Sequence, residues 1–424
     1  MPTAPDHLHQ PDSRYAMVRL FITLLIMTVG SSGMYVVSVV LPAVQADFGV
    51  ARAEASLPYT MLMIGFGVGG VVMGKLADRY GVMWPLLLGG FCVGAGYIAS
   101  SFAGSILAFS LVQALLIGLG SGAVFAPLVA DTSLWFVKRR GMAVAVCASG
   151  NYLAGAVWPP IVQRFVESAG WRPTYVGLGL FCGLAMAGLA LLMRPRPPAV
   201  VMAAAPVSAA GRPLVAATMR PFGLSLGVAQ GLLCVAGAAC CVAMAMPQVH
   251  IVAYCTDLGF GAARGAQMLS LMLACGIVSR LISGAICDRI GGLRTLLLGS
   301  VLQCVALLMF LPFDGMVPLF VVSALFGLFQ GGLVPSYAII VREHFPPAEA
   351  SARVGTVIGC TLLGMALGGW MSGKVFDLTG SYHAAFVNGI AWNLLNMSIA
   401  ATLLWRVRRA MPGDGLRRAS TGSA

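Results

Sequence analysis

Apolar residues in this chain neither alternate with polar ones nor form narrow helical stripes. They run in long blocks separated by short polar breaks. Twelve blocks follow one another, at about 17–44, 55–77, 84–103, 107–132, 141–165, 173–193, 222–248, 267–287, 294–312, 316–341, 354–375 and 383–405. A helix needs about 20 such residues to cross a bilayer. In lipid, each segment must satisfy its own backbone hydrogen bonds, which helices do and open strands do not. The pattern predicts an all-α membrane protein with twelve transmembrane helices.

One break is longer than the rest. Residues 194–219 are rich in Pro, Ala and Arg and read as a cytoplasmic linker. It divides a bundle of six helices at 1–193 from a second at 220–405, and residues 406–424 form a basic cytoplasmic tail. The two bundles repeat each other. Gly74-Lys75-Leu76-Ala77-Asp78-Arg79-Tyr80-Gly81 returns as Gly284-Ala285-Ile286-Cys287-Asp288-Arg289-Ile290-Gly291, both G-x-x-x-D-R-x-G, at an offset of 284 − 74 = 210 residues. The segment from Gly170 returns at Gly380 with the same offset. Two landmarks in constant register describe one unit used twice, a plan that builds a substrate path between halves. Gly-x-x-x-Gly spacing occurs in helices 2, 4, 10 and 11 and is doubled in 2 and 11. Such faces admit close helix packing, and the doubling suggests sliding contacts between the halves.

Composition supports this class. The chain is 59% hydrophobic and 9% charged, against roughly 25% charged for a soluble domain. The net charge of +12 points to membrane lipids and not to nucleic acid. With the N-terminus inside, twenty of the 26 Lys and Arg fall in inner loops and tails. Only Arg52, Arg164, Arg172, Arg264 and Lys374 fall outside, and Arg280 lies within a span. That bias places both termini in the cytoplasm. Of eleven cysteines, only Cys255 is expected in an outer loop, so no disulfide or metal site is predicted. The first apolar block is too long for a cleaved signal. No H-E-x-x-H, P-loop or G-x-S-x-G constellation is present, so neither an enzyme nor a cofactor is expected. ATP-driven transport by this chain alone is excluded.

Twelve helices, a 6 + 6 repeat and G-x-x-x-D-R-x-G after helices 2 and 8 resemble the major facilitator superfamily over essentially the whole chain. The resemblance implies the major facilitator fold, two pseudo-symmetric six-helix bundles, and gating roles for the motif residues. Gly74 and Gly284 would allow close helix contact. Asp78 and Asp288 would face a helix N-terminus across the interface, where a carboxylate is stabilised. Arg79 and Arg289 would complete the ion pairs. Val82 and Met83 stand where that family usually has basic residues, whereas the second copy keeps Arg294.

A narrower resemblance lies at 135–150, WFVKRRGMAVAVCASG, which is similar to the helix 5 signature of the monocarboxylate porter family. Trp135, Phe136, Lys138, Arg139, Arg140, Ala143 and Gly150 are in register, and Met142, Ala145, Cys147 and Ser149 depart from it. The helix 1 signature of that family is replaced by SRYAMVRL at 13–20. This resembles bacterial lactate or oxalate/formate carriers more than animal ones and implies a bacterial inner membrane location.

Arg280 is the sharpest single signal, near the middle of its span. A mid-membrane Arg costs about 3 kcal/mol on insertion scales and persists where it faces water or an anion. Its planar fork matches a carboxylate. No acid lies at mid-depth in any span, which favours a substrate counter-ion over a buried acid or helix carbonyls. The resemblance agrees, since monocarboxylate carriers place a substrate-binding Arg on helix 8. An Asp commonly stands one turn before it, and here that residue is Gly276.

His250, at the expected end of helix 7, is a candidate to bind substrate or carry a proton; the competing reading is an interfacial His bound to backbone or water. Asp257 reads as a loop or cap residue. Asn151 and Tyr152 in helix 5, Tyr35 in helix 1, Gln330 and Tyr337 in helix 10, and Asn393 in helix 12 are further candidates to line a cavity, with interhelical hydrogen bonding the alternative. Tyr59 reads as an interfacial anchor. Asp131, near the inner end of helix 4, reads as a gate or a structural ion pair.

The leading expectation is a secondary carrier of a small monocarboxylate such as lactate or pyruvate, working as a monomer by alternating access with protons as possible co-substrate. An organic anion exchanger of the oxalate/formate type and an efflux transporter of another organic compound are the alternatives. A static receptor or scaffold would not need a repeated gating motif.

Overall fold

The computed structural model describes residues 10–136, 140–195, 221–346 and 349–410, and among them there is no strand. Twelve long helical segments follow in order: α1 (Arg14–Phe48), α2 (Arg52–Tyr80), α3 (Met83–Ser101), α4 (Ile106–Trp135), α5 (Arg140–Ala169), α6 (Trp171–Leu191), α7 (Leu226–Asp257), α8 (Ala262–Ile290), α9 (Gly292–Met309), α10 (Met316–His344), α11 (Ala350–Thr379) and α12 (Tyr382–Ala410). Among the described residues, eleven of them are long and apolar enough to cross a membrane. The helix α5 has 30 residues and is itself long enough to cross a bilayer. Most helices extend a few residues past the apolar blocks. The extension is greatest in α7, which continues through His250 to Asp257 where the apolar pattern ends near 248. Cys255, expected in a loop, is therefore a buried helix residue.

The helix ends follow local chemistry. Ser13, Ser105 and Ser225 cap α1, α4 and α7, each accepting from a backbone N–H three residues on. The last glycine of each repeated motif ends its helix in a conformation that L side chains avoid: Gly81 has φ 87°, ψ 163° and Gly291 φ 82°, ψ 163°. The second landmark has diverged, since Gly170 (φ 85°, ψ 166°) and Gly380 (φ 66°, ψ 12°) share sequence position but not conformation.

Short connections make successive helices antiparallel. The start of α1 and the ends of α2, α4, α8, α10 and α12 lie at one face, here called the terminal face. The loops after α1, α3, α5, α7, α9 and α11 lie at the opposite face. Within the first half, Gly65 and Gly69 of α2 lie against the α4 backbone at Ala114 and Leu119, and Gly122 of α4 lies against Gly69 and Gly70. The second half repeats this contact: Gly327 and Gly331 of α10 lie against the backbone of α8 at Met272 and Gly276. Both α4 and α10 are broken nearby. A π turn at Gln113–Gly118 and a 3-10 turn at Gly122–Val124 interrupt α4, and α10 breaks at Gly331 and Gly332.

Across the halves α2 packs on α11, α5 on α8 and α1 on α7. The doubled glycine motifs are used differently from the expectation. Gly364 and Gly368 of α11 pack on α7 within their own half, and only Gly369 and Gly373 meet α2, at Tyr59 and at the Arg52 backbone. Tyr59 is consequently buried between the halves and is no interfacial anchor. Large apolar side chains such as Phe91, Leu115, Leu184 and Trp405 remain exposed, as a lipid-facing surface requires.

Candidate functional site: a cavity between the halves

A cavity of about 620 Å³ lies between the halves, lined from α1, α2, α4, α5, α7, α8, α10 and α11. Its wall includes Val71 of α2 and Gly355 and Thr356 of α11, which lie toward the terminal face. Gly70, Gly74, Gly355 and Gly359 have no neighbour within 4 Å of the position a Cβ would take. The halves are thus parted at that end.

Arg280 is the one charged residue among the described residues lining this cavity. It stands 18 residues after the start of α8 and 10 before its end (280 − 262, 290 − 280), nearer the terminal face than the sequence suggests. Contrary to the expectation, helix carbonyls hold part of it. Nη1 donates to Ala148 O of α5 at 3.0 Å and Nε to Gly331 O of α10 at 3.4 Å. Gly331 lies at the break in α10, which leaves its carbonyl available. Nη2 has no acceptor among the described residues. The guanidinium carbon lies 4.2 Å from the centre of the Tyr152 ring, a stabilising cation–π distance. A Cβ at Gly276 would come within 2.9 Å of the same ring, so Tyr152 fills the space that a side chain at Gly276 would need.

The structure brings Tyr35, Asn151, Tyr152 and Arg280 to this one cavity. Tyr35 Oη donates to Asn151 Oδ1 at 2.8 Å, and Asn151 Nδ2 lies 3.2 Å from Met34 Sδ. Four other candidates are placed elsewhere. Gln330 is buried one layer behind the wall, accepting from the lining residue Gln248 at 3.1 Å. Tyr337 donates to Asn396 Oδ1 at 2.8 Å, and Asn393 donates to Ser300 O at 2.8 Å, in a network joining α9, α10 and α12. His250 is fully buried and its Nε2 lies 2.8 Å from Gly369 O. A carbonyl only accepts, so Nε2 carries the proton, and the ring ties α7 to α11 beneath the opposite face.

The Major Facilitator Superfamily profile matches residues 21–317 and again 278–422. The chain belongs to this superfamily. Among curated proteins it is similar to monocarboxylate transporter 13 of Rattus norvegicus, 27% identical over 355 residues and covering 82% of this chain and 78% of that protein. It is also similar to the MFS-type transporter opdF of Penicillium oxalicum, 23% identical over 340 residues, covering 78% and 76%. Among solved structures, a bacterial homologue of the human lysosomal transporter Spinster aligns with a TM-score of 0.71 at 13% identity, covering 94% of this chain and 98% of that one. The nucleoside transporter NupG aligns at 0.70 and 12%, covering 90% and 99%. These two likenesses carry the fold. The protein is therefore a multi-pass membrane transporter of the facilitator type and not an enzyme.

The repeated facilitator motif lies at the parted end. Asp78, Arg79, Asp288 and Arg289 are all exposed and make no ion pair or hydrogen bond among the described residues; Arg79 rests on the ring of Tyr80 at 5.3 Å. Asp131 is engaged within the first half. Arg19 of α1 grips it through Nε at 2.9 Å and Nη2 at 3.0 Å, both residues are buried, and the Trp135 ring lies 4.8 Å from the guanidinium carbon. This pair joins α1 to α4 and does not cross between halves. Of the helix 5 signature, Lys138 and Arg139 lie outside the described residues.

At the opposite face the halves are joined by Arg52, by Asp257, expected only as a loop or cap residue, and by Asp377, which the sequence did not single out. Asp377 of α11 accepts from the backbone N–H of Arg52 at 2.9 Å and of Ala53 at 2.8 Å, at the N-terminus of α2. The Arg52 side chain reaches Asp257, the last residue of α7, at 2.9 Å and lies 5.1 Å over Phe376. The detectable signal was Arg52 itself, one of the few cations on the poorly charged outer side.

Proposed function

We propose that this facilitator carries an organic monocarboxylate by alternating access, with Arg280 as the anchor for the carboxylate. The observation that carries the reading is that, among the described residues, Arg280 is the one charged group on the cavity wall, its Nη2 edge is unengaged and no acid lines the wall with it. A guanidinium edge offers a carboxylate paired, charge-assisted hydrogen bonds, and one fixed charge favours a monoanion over a dianion. The similarity to a monocarboxylate transporter supports the same class. The positive-inside bias supports a cytoplasmic terminal face, and with it an inward-open form in a cell membrane.

Exchange of one anion for another is favoured over proton symport. No Asp, Glu or His is among the described lining residues, Tyr152 fills the place a carboxylate at Gly276 would take, and His250 is buried away from the cavity. An empty carrier would have to close around an unpaired cation, which is costly in a low-dielectric site. The test is uptake of labelled carboxylate into proteoliposomes, preloaded or empty, with and without a proton gradient. Uptake is expected only into preloaded vesicles, with the gradient having little effect, and a drop of at least about 100-fold for Arg280→Leu, as loss of a buried charge-assisted contact implies. An Arg280→Leu protein that transports like the parent removes the anchor.

A further inference from the structure

The wall around Arg280 says more about the cargo than its charge does. Four methionines, Met34, Met63, Met244 and Met365, and two phenylalanines, Phe66 and Phe125, face the cavity. Thioether side chains adapt to the shape of an apolar partner, and a site of a few hundred Å³ with an apolar wall and few polar groups is typical for ligands well above the size of a three-carbon acid. The polar groups on the wall are largely engaged with one another. Tyr35 is bonded to Asn151, Asn151 contacts Met34, Gln248 donates to Gln330, and the Thr356 and Thr361 hydroxyls donate to carbonyls of their own helix. A small hydroxylated acid would find its carboxylate partner and few partners for the rest. An apolar body would find six Met and Phe side chains.

We propose that the physiological cargo is an amphipathic monoanion, a carboxylate carrying an apolar body of phenyl size or larger, with Tyr152 and the methionine wall selecting the body. The Tyr152 ring presents one face to the Arg280 guanidinium. It therefore orients the charged head and forms the floor on which the first atoms of the body rest. This rests on Arg280 anchoring the carboxylate, and the experiment separates the two claims.

The experiment is counterflow into proteoliposomes preloaded with the same unlabelled acid, which detects uniport, symport and exchange alike. The head group is held constant in a series of 2-oxo acids: pyruvate, 2-oxobutanoate, 2-oxohexanoate and phenylpyruvate. Half-saturation is expected to fall about fourfold per added CH₂, the equivalent of ~0.8 kcal/mol, and phenylpyruvate is expected to bind at least tenfold more tightly than pyruvate. Met365→Gln, close in size and polar, is expected to shrink the ratio of phenylpyruvate to pyruvate affinity, and Tyr152→Leu to shrink it further. If pyruvate binds as tightly as phenylpyruvate while Arg280→Leu is inactive toward both, the anchor stands and the apolar-body proposal is overturned. If Arg280→Leu transports the whole series like the parent protein, the anchor itself is overturned.

Discussion

The two faces of the molecule carry the same kind of chemistry in opposite states. At the opposite face a carboxylate from one half, Asp377, caps a helix N-terminus of the other, and Arg52 is buried against Asp257, Phe376 and Tyr382. At the terminal face Asp78 and Asp288 are exposed and unpaired among the described residues. A helix N-terminus attracts a carboxylate wherever the two are brought together. The resemblance expects that contact from Asp78, and in this conformation the protein makes it with Asp377, at the other end of the α2–α11 pair. The alternating access proposed above would need each lock to exist in one state only, with the difference between the two setting the population.

The proposed alternation would require this lock to open. Arg52 is buried, yet its Nε and Nη1 have no acceptor among the described residues. Hydrating them on opening offsets part of what is lost. The largest expected effect comes from Arg52→Ala. Breaking a buried ion pair costs about 3–5 kcal/mol, but the Asp257 side chain is 36% exposed, so a shift of about 2 kcal/mol is expected after solvent screening. That is roughly a 30-fold shift toward parting at this face. The distance between spin labels at the exposed positions Glu54 and Leu378 should acquire a long component. An unchanged distance would mean that the glycine contacts alone hold this face closed.

A smaller effect is expected for Asp377→Ala. Its carboxylate is exposed and acts as a helix cap, a contact worth about 0.5–2 kcal/mol. The same label pair should show a partial shift, and Asp377→Asn, which still accepts, should retain more of the closed form than Asp377→Ala. Equal behaviour of the two variants would argue that the negative charge, and not the capping acceptor, is what matters.

The contrast between faces also explains what was legible in the chain. The bundle was legible because lipid forces each apolar block into a helix. Arg280 stood out because a charge within an apolar block has few permitted explanations. The opposite-face lock was hidden: Arg52, Asp257 and Asp377 look like ordinary loop and cap residues, and 325 residues separate Arg52 from Asp377. Polar residues at mid-depth were ambiguous for a related reason. Asn151 and Tyr152 face the cavity while Tyr337 and Asn393 bond to neighbouring helices, and nothing in hydropathy distinguishes a helix face turned to the cavity from one turned to a neighbour. The Tyr152 ring over Gly276 could be seen only once α5 and α8 were packed together.

The smallest expected effect on the form described is the most discriminating. Asp78 makes no ion pair or hydrogen bond among the described residues, so Asp78→Asn should leave the thermal stability of this conformation within about 0.5 kcal/mol of the parent, as for an exposed substitution away from structural contacts. If Asp78 becomes the carboxylate at a helix N-terminus when the terminal face closes, the same change removes stabilisation from that other state alone. The population then moves further toward the form with its terminal face parted, and labels at Lys75 and Thr356, both exposed at that end, should lose their short-distance component while the Glu54–Leu378 pair keeps its own. Asp288→Asn, in the second copy, provides the comparison within one molecule. A stability loss well beyond that margin for Asp78→Asn would show that the motif is already engaged in this conformation, and the contrast between an occupied and a vacant lock would fail.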